Sequence, residues 1–335
     1  MVSSSREIVY AAVHFQRPAR LPVRMASLGV DDTAWIWRKT ADRVENGARL
    51  DEWGCRWEHT DVPNMGQVKG HPLSCLAAHE SLRVPDYSQD WMYEECDAVL
   101  RAAEEHEKYT QAGIFMVLFE RMHALAGFET VLTGLLDDRD NAAALADKIL
   151  GAQINLVRNF QERFGRRLHS FSMSDDWGSQ RATFISPALW YEFFFPRYKR
   201  LFEVMHAGGQ DVWVHSCGRI NELIQGFIDA GADVINLQQP RALGIAAIGE
   251  RYRGKVAFES LADIQVTLPT GDVDKIRADA EELGLHWMLP EGGFIFSDYG
   301  DDRAIGAPEA AKRCMYAAFS RVSERVYGAP LPELP

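Results

Sequence analysis

From about residue 90 onward, short apolar runs alternate with longer amphipathic stretches, and this alternation constrains the fold more than any other feature of the chain. It predicts helix over 92–109, a buried strand at 113–119, helical turns to Leu125 and over 130–136, and a long helix over 140–164. It continues with a strand at 170–174, helix at 187–207, strand at 211–214, and helix at 220–230 stopped by Gly231. Strands at 234–237 and 256–258, helix at 273–283, a strand at 286–289 and a closing helix at 307–326 complete the pattern. Repeated strand–helix units imply a parallel sheet covered by helices. No linker divides the chain, so the expected architecture is α/β, a single (β/α)8 TIM barrel over residues 1–335. Residues 1–90 form an N-terminal extension and first elements, and 91–326 the regular units. A doubly wound open sheet is the alternative. Upstream, a short helix capped at Ser5 leads into the extended Arg17–Pro22 segment. Mixed charge over 30–50 predicts helix, and Asp51–Glu58 alternates as an exposed strand or hairpin would.

The 335 residues are 47% hydrophobic and include nine tryptophans, enough for one large core. A formal net charge of −12 argues against nucleic acid or an anionic membrane as partner. No run approaches the roughly 20 apolar residues of a membrane-spanning helix. The five cysteines are scattered and odd in number, as reduced thiols are. The N-terminus lacks the apolar core of a secretory signal, so a soluble cytoplasmic protein acting on a small molecule is expected. Phosphate loops, dinucleotide fingerprints and serine-nucleophile elbows are absent from the sequence.

Chemistry in such barrels sits at the C-terminal ends of the strands. There the run Asp211–Gly218 contains His215-Ser216-Cys217. Alternate strand positions point the same way, so His215 and Cys217 project together, an imidazole beside a thiol. That pair suits zinc, which takes sulfur and nitrogen ligands; the plainer reading is two packing residues before a turn. After the strand at 170–174 come Asp175 and Asp176, able to bind a cationic or N–H-rich substrate, to act as acid and base, or to cap a helix. Trp177 and Gly178 behind them suggest a walled pocket, with Gln180 beyond. Gln238 follows the strand at 234–237 as a substrate-orienting amide. Glu259 is a candidate base or metal ligand, or a salt-bridge partner, and Gln265 lies downstream. Gly292 and Gly293 allow close approach of backbone to a ligand. Asp298, Asp301 and Asp302 form either a ligand-bearing or a merely solvated loop. His14, His59, His79, His106, His123, His169 and His206 lack partners at ligand spacing.

The order of Arg17–Pro22, Asp51-Glu-Trp-Gly54, Ser174–Gln180, His215-Ser-Cys-Gly218, Asp263-Ile-Gln265 and Gly292-Gly-Phe-Ile295 resembles the uroporphyrinogen decarboxylase-like superfamily, over about residues 6–326. That resemblance implies a single (β/α)8 barrel, and either porphyrinogen decarboxylation or cobalamin-dependent methyl transfer. True decarboxylases of this type grip substrate carboxylates with an N-terminal Arg-Gln-Ala-Gly-Arg-like segment. Here Leu21–Gly29 stands in its place and keeps only Arg24. The methyltransferases hold zinc on His-x-Cys plus a third ligand beyond the late Gly-Gly strand. His215 and Cys217 match the first two positions; the third falls near Gly300, so Asp298, Asp301 or Glu259 would have to complete the site.

The leading expectation is therefore a methyltransferase. Zinc would activate a thiol, Asp176 or Glu259 would serve as proton partners, and Trp177 and Phe296 would wall an apolar substrate or the corrin face. The corrinoid (cobalamin) would arrive on a separate protein, since no domain for it is visible in this chain, and a homodimer is a further partner expectation. The first alternative is metal-free decarboxylation of a polycarboxylate, with Asp175 or Asp176 on pyrrole N–H groups and Arg24 and Arg219 on acid arms. The second is a non-catalytic binding barrel.

Overall fold

The computed structural model describes residues 3–45, 47–59 and 66–335. Eight strands run parallel around an axis: β1 (Val23–Met25), β2 (Thr33–Ile36), β3 (Tyr109–Ile114), β4 (Ser170–Ser174), β5 (Asp211–His215), β6 (Val234–Asn236), β7 (Ala257–Ser260) and β8 (Phe294–Ser297). Each of β2 to β7 pairs with the next, and β8 pairs with β1. A ninth strand, Val30–Asp31, folds back antiparallel on β1. No ladder joins β1 to β2 among the described residues, so the barrel is nearly closed, with one seam.

Alternation sorts the side chains. Val212 and Val214 of β5 face the outer helices, while Trp213 points inward with Tyr109, Val234, Ala257 and Ile295. Val9 and Val13 of the helix Ser5–Val13 join that inner cluster. This helix plugs the N-terminal end of the barrel, where the Ala12 carbonyl accepts the Gly293 N–H at 2.7 Å. Its cap is Ser4, one residue before the expected one, in a reciprocal box with Glu7.

Several expectations need correction. Among the described residues between 30 and 50 there are short strands, at 30–31, 33–36, 43–45 and 48–50, and no helix. Asp32 accepts the Val23 N–H and pairs with Arg20, which pins the hairpin at β1. Arg43–Glu45 and Ala48–Leu50 begin a four-stranded antiparallel sheet that continues through Arg56–Glu58 and Gln67–Gly70. The expected strand at 286–289 is absent: helix Val273–His286 runs on, and the Trp287 Nε1–H donates to the Ile245 carbonyl at 2.7 Å. An apolar run of four residues is here a buried turn, and β8 begins five residues later. Gly292 and Gly293 lie at the barrel end opposite the mouth. A Cβ on Gly292 would stand 2.7 Å from the Ala12 carbonyl, so these glycines admit the plugging helix and not a ligand. β3 ends at Ile114, which leaves Phe115–Leu118 as a loop with Met116 at φ 54°.

Candidate active site at the barrel mouth

His215 is the last residue of β5, in register with Ser174 of β4 and Asn236 of β6. Its Nδ1 lies 2.5 Å from Asn236 Oδ1. That oxygen only accepts, so Nδ1 carries the proton and Nε2 presents a lone pair. Nε2 faces Cys217 Sγ at 3.3 Å and Asp176 Oδ1 at 3.6 Å. The same Asp176 oxygen accepts the Cys217 N–H at 2.7 Å. One ligand atom from each of Asp176, His215 and Cys217 lies within 4.8 Å of the others, and all three residues are half-buried. The loops after β4 and β5 must touch for this to happen. A Cβ on Gly218 (φ +81°) would fall 2.1 Å from the Gly178 carbonyl oxygen, so both positions need glycine.

The trio opens on a two-lobed cavity. One lobe, about 510 Å³, carries Phe115, Glu120, Asp176, Cys217 and Asp301. The other, about 340 Å³, carries Arg24, Asp31, Trp35, Glu259 and Asp298, with Gly300 at its edge. His215, Gln238 and Tyr299 line both. Burial, and then the Asp176 charge, push the Cys217 thiol far up, so it stays protonated without a cation nearby. Burial, with Asp176 and Asp175 adding to it, holds the Glu120 carboxyl well above the usual carboxylate range. Burial also raises the Tyr299 phenol, which stays neutral.

The family model of uroporphyrinogen decarboxylase matches residues 57–283, about two thirds of the chain. The chain belongs to the uroporphyrinogen decarboxylase family. The matched stretch contains the Ser174–Gln180 and His215–Gly218 motifs; Arg17–Pro22 and Gly292–Ile295 lie outside it. No curated protein matches the chain. Among solved structures, xylanase 10B from Thermotoga maritima is 11% identical over 72% of this chain and 83% of its own, with a TM-score of 0.43. D-psicose 3-epimerase from Clostridium cellulolyticum H10 is 12% identical over 76% and 87%, at 0.39. The intracellular xylanase TsXylA from Thermoanaerobacterium saccharolyticum is 11% identical over 62% and 71%, at 0.38.

Within this family member, the carboxylate that reaches the His-x-Cys pair is Asp176. The three expected third ligands are engaged elsewhere. Glu259 forms an ion pair with Arg24, whose guanidinium lies 4.7 Å from the centre of the Trp35 ring. Asp298 takes a hydrogen bond from Ser27 and lies 3.5 Å from Lys312. Asp301 caps the short helix Asp302–Ile305, and Asp302 pairs with Lys312 at 2.9 Å. Gly300 offers open space and no ligand. Asp175 turns away from the cavity. It is fully buried and accepts the N–H groups of Leu118, Phe119 and Glu120 and the Tyr198 hydroxyl, so it holds the helix Phe119–Ala126 and touches no substrate. Trp177 and Phe296 are also fully buried outside both lobes. Trp177 stacks on Phe119 and Phe296 on Phe319, so neither walls the mouth. Gln180, Arg219 and Gln265 are exposed and line neither lobe. Of the expected substrate binders, Arg24 and Gln238 do line the cavity. Sequence reading missed Glu120, Asn236, Phe115, Trp35, Asp31 and Tyr299. Placing β3 four residues late hid Phe115 and Glu120 inside a supposed strand and helix.

Proposed function

We propose that this family member is a zinc-dependent methyltransferase that moves a methyl group between a small substrate and a thiol or a corrinoid carried by another protein in the cytoplasm. The convergence of Asp176, His215 and Cys217 within 4.8 Å, at the edge of an open cavity, carries this reading. The donor set of oxygen, nitrogen and sulfur suits zinc. His215 fits as well, because Asn236 fixes the tautomer that frees Nε2. Cys217 fits because its thiol needs a cation to ionise. Zinc bound there would acidify an arriving thiol and offer it to the methyl group as thiolate. Asp176 holds the Cys217 backbone in place through its N–H. Gln238, lining both lobes, orients substrate. The protonated Glu120 carboxyl, in the same lobe as Cys217, is the proton source for the departing group.

Charge weighs against decarboxylation of a polycarboxylate. Arg24 is the one lysine or arginine among the described residues lining either lobe, and Glu259 neutralises it. A porphyrinogen with many acid arms would meet Glu120, Asp176, Asp301, Asp31 and Asp298 instead. Elemental analysis tests the proposal. Purified protein should hold one zinc per chain, and Cys217→Ser should lose it. Zinc-free protein that decarboxylates uroporphyrinogen would overturn the reading, and protein with neither metal nor turnover would leave a binding barrel.

A further inference from the structure

We infer that the aromatic cleft between the small antiparallel sheet and β3 is a second ligand site, for a neutral compound of one flat ring that carries an N–H and a carbonyl oxygen, as a lactam does. The cleft is separate from the Asp176, His215 and Cys217 trio and does not depend on how that trio is read. Its walls are Trp37, Trp53, Trp57, Tyr87 and Phe115. Trp37 is 54% exposed and stands at the open side with Thr40 and Arg49, while Trp53, Trp57 and Tyr87 are buried. Stacked guanidinium groups fix three of the rings. Arg38 lies 4.4 Å from the centre of the Tyr87 ring, Arg49 5.3 Å from Trp57 and Arg121 5.1 Å from Trp53. The Trp37 ring lies so close over β3 that a Cβ on Gly113 would fall 2.2 Å from it. Walls held in this way are formed before a ligand arrives, which lowers the cost of binding.

Charge and hydrogen bonding decide what fits. The three arginines that line the cleft each pair with a carboxylate that lines it too: Arg38 with Glu52, Arg49 with Asp42 and Arg121 with Asp51. These charges cancel, so neither an anion nor a cation is favoured. Two polar atoms of the lining residues are left over. Gln153 is 2% exposed, and its Nε2 donates to the Val117 carbonyl at 3.0 Å, but its Oε1 has no partner among the described residues. Arg121 is 5% exposed, and its Nε is likewise unmatched. The Gln153 oxygen asks for a donor and the Arg121 N–H for an acceptor, and each unmet demand is costly in a buried wall. A lactam meets both with fixed groups while its ring faces lie against the indoles. An apolar cavity of about 150 Å³ takes benzene. This cleft, at about 90 Å³ and open on one side, takes a single ring whose outer edge stays in solvent. An occupant would also brace two walls of the active cavity. Phe115 lines the Cys217 lobe as well, and Trp37 stacks at 5.5 Å on Trp35, which lines the other lobe.

Calorimetry with 2-pyridone tests the inference, against benzene, which offers neither polar group, and N-methyl-2-pyridone, which lacks the N–H. 2-Pyridone should bind one site per chain at least about tenfold more tightly than either. Trp37→Ala, at an exposed position, should keep the fold and weaken 2-pyridone several-fold. Gln153→Met, with its fold checked by thermal melting, should erase most of the preference for 2-pyridone over N-methyl-2-pyridone. Zinc-stripped protein and Cys217→Ser should each bind 2-pyridone as the parent does. Binding that vanishes in Cys217→Ser would put the ring in the active lobe and overturn the inference. Equal affinity for 2-pyridone and benzene also overturns it, as does a 2-pyridone affinity that Trp37→Ala leaves unchanged. The absence of saturable binding would mean a cleft that holds water alone, and sinks the inference too.

Discussion

Glu120 has no unusual chemistry of its own; its neighbours give it one. Buried beside two aspartates, its carboxyl is pushed up to about 8. In the unfolded chain the same group ionises near its ordinary value of 4.5. Below that value both states are protonated and nothing is lost. As pH rises from there toward the folded value, the unfolded state gives up a proton that the folded state keeps, and stability falls. Glu120→Gln removes this penalty. The variant should match the parent in thermal melting at pH 4 and exceed it increasingly up to about pH 8; a difference that does not grow with pH contradicts the buried, protonated carboxyl. Cys217 follows the same logic, since burial holds its thiol protonated. Thiol-alkylating reagents should therefore modify the metal-free protein slowly at Cys217, and faster at the exposed Cys75.

The elements that carry these residues are fixed by contacts far from the cavity. The helix Phe119–Ala126, which brings Glu120, is held at its start by Asp175 and along its side by Asp51, which pairs with Arg121 at 2.9 Å. Asp51 also accepts the N–H groups of Trp53 and Cys55 and the Trp57 indole N–H, so it ties the small antiparallel sheet to the mouth. Asp175→Ala would leave three backbone N–H groups and the Tyr198 hydroxyl unmatched. Each buried orphan costs about 1–3 kcal/mol, so denaturant titration should show a loss of at least about 3 kcal/mol. Gly218→Ala drives a methyl group against the Gly178 carbonyl and strains a left-handed residue. It should cost about 2 kcal/mol or more and, by parting the two loops, should lower zinc affinity; unchanged zinc binding would show that the loops are not what brings Asp176 to Cys217.

Across the whole molecule, the barrel is stitched everywhere except between β1 and β2. The antiparallel Val30–Asp31 strand and the Arg20–Asp32 pair stand in for the missing ladder. Arg24 of β1 reaches across the mouth to Glu259 of β7 and lies over Trp35 of β2. A strand paired on one side alone opens more readily than one paired on both. In hydrogen exchange, amides of β2 should therefore exchange ahead of those in β4 and β5, which are paired on both sides. Equal protection would mean that the seam is closed. No helix among the described residues is long and apolar enough to cross a membrane.

The strand–helix rhythm and the convergence of His215 with Cys217 were readable from local pattern, because periodicity and alternation are properties that neighbouring residues carry. β4 was legible to the residue, and β5 to within one. Apolar runs of four residues at 286–289 and the mixed charge at 30–50 were misread, since a buried turn and a half-covered strand share their composition with other elements. The motifs of the resemblance turned out largely to be scaffold: Asp51 and Asp263 each gather backbone N–H groups rather than ligands. Which of two adjacent aspartates faces the cavity, which carboxylates are already paired, and that Glu120 stands in the same lobe as Cys217 emerge in the folded chain alone. Those outcomes depend on distances between segments tens to hundreds of residues apart, set by how strands register and loops abut, and no local pattern encodes them.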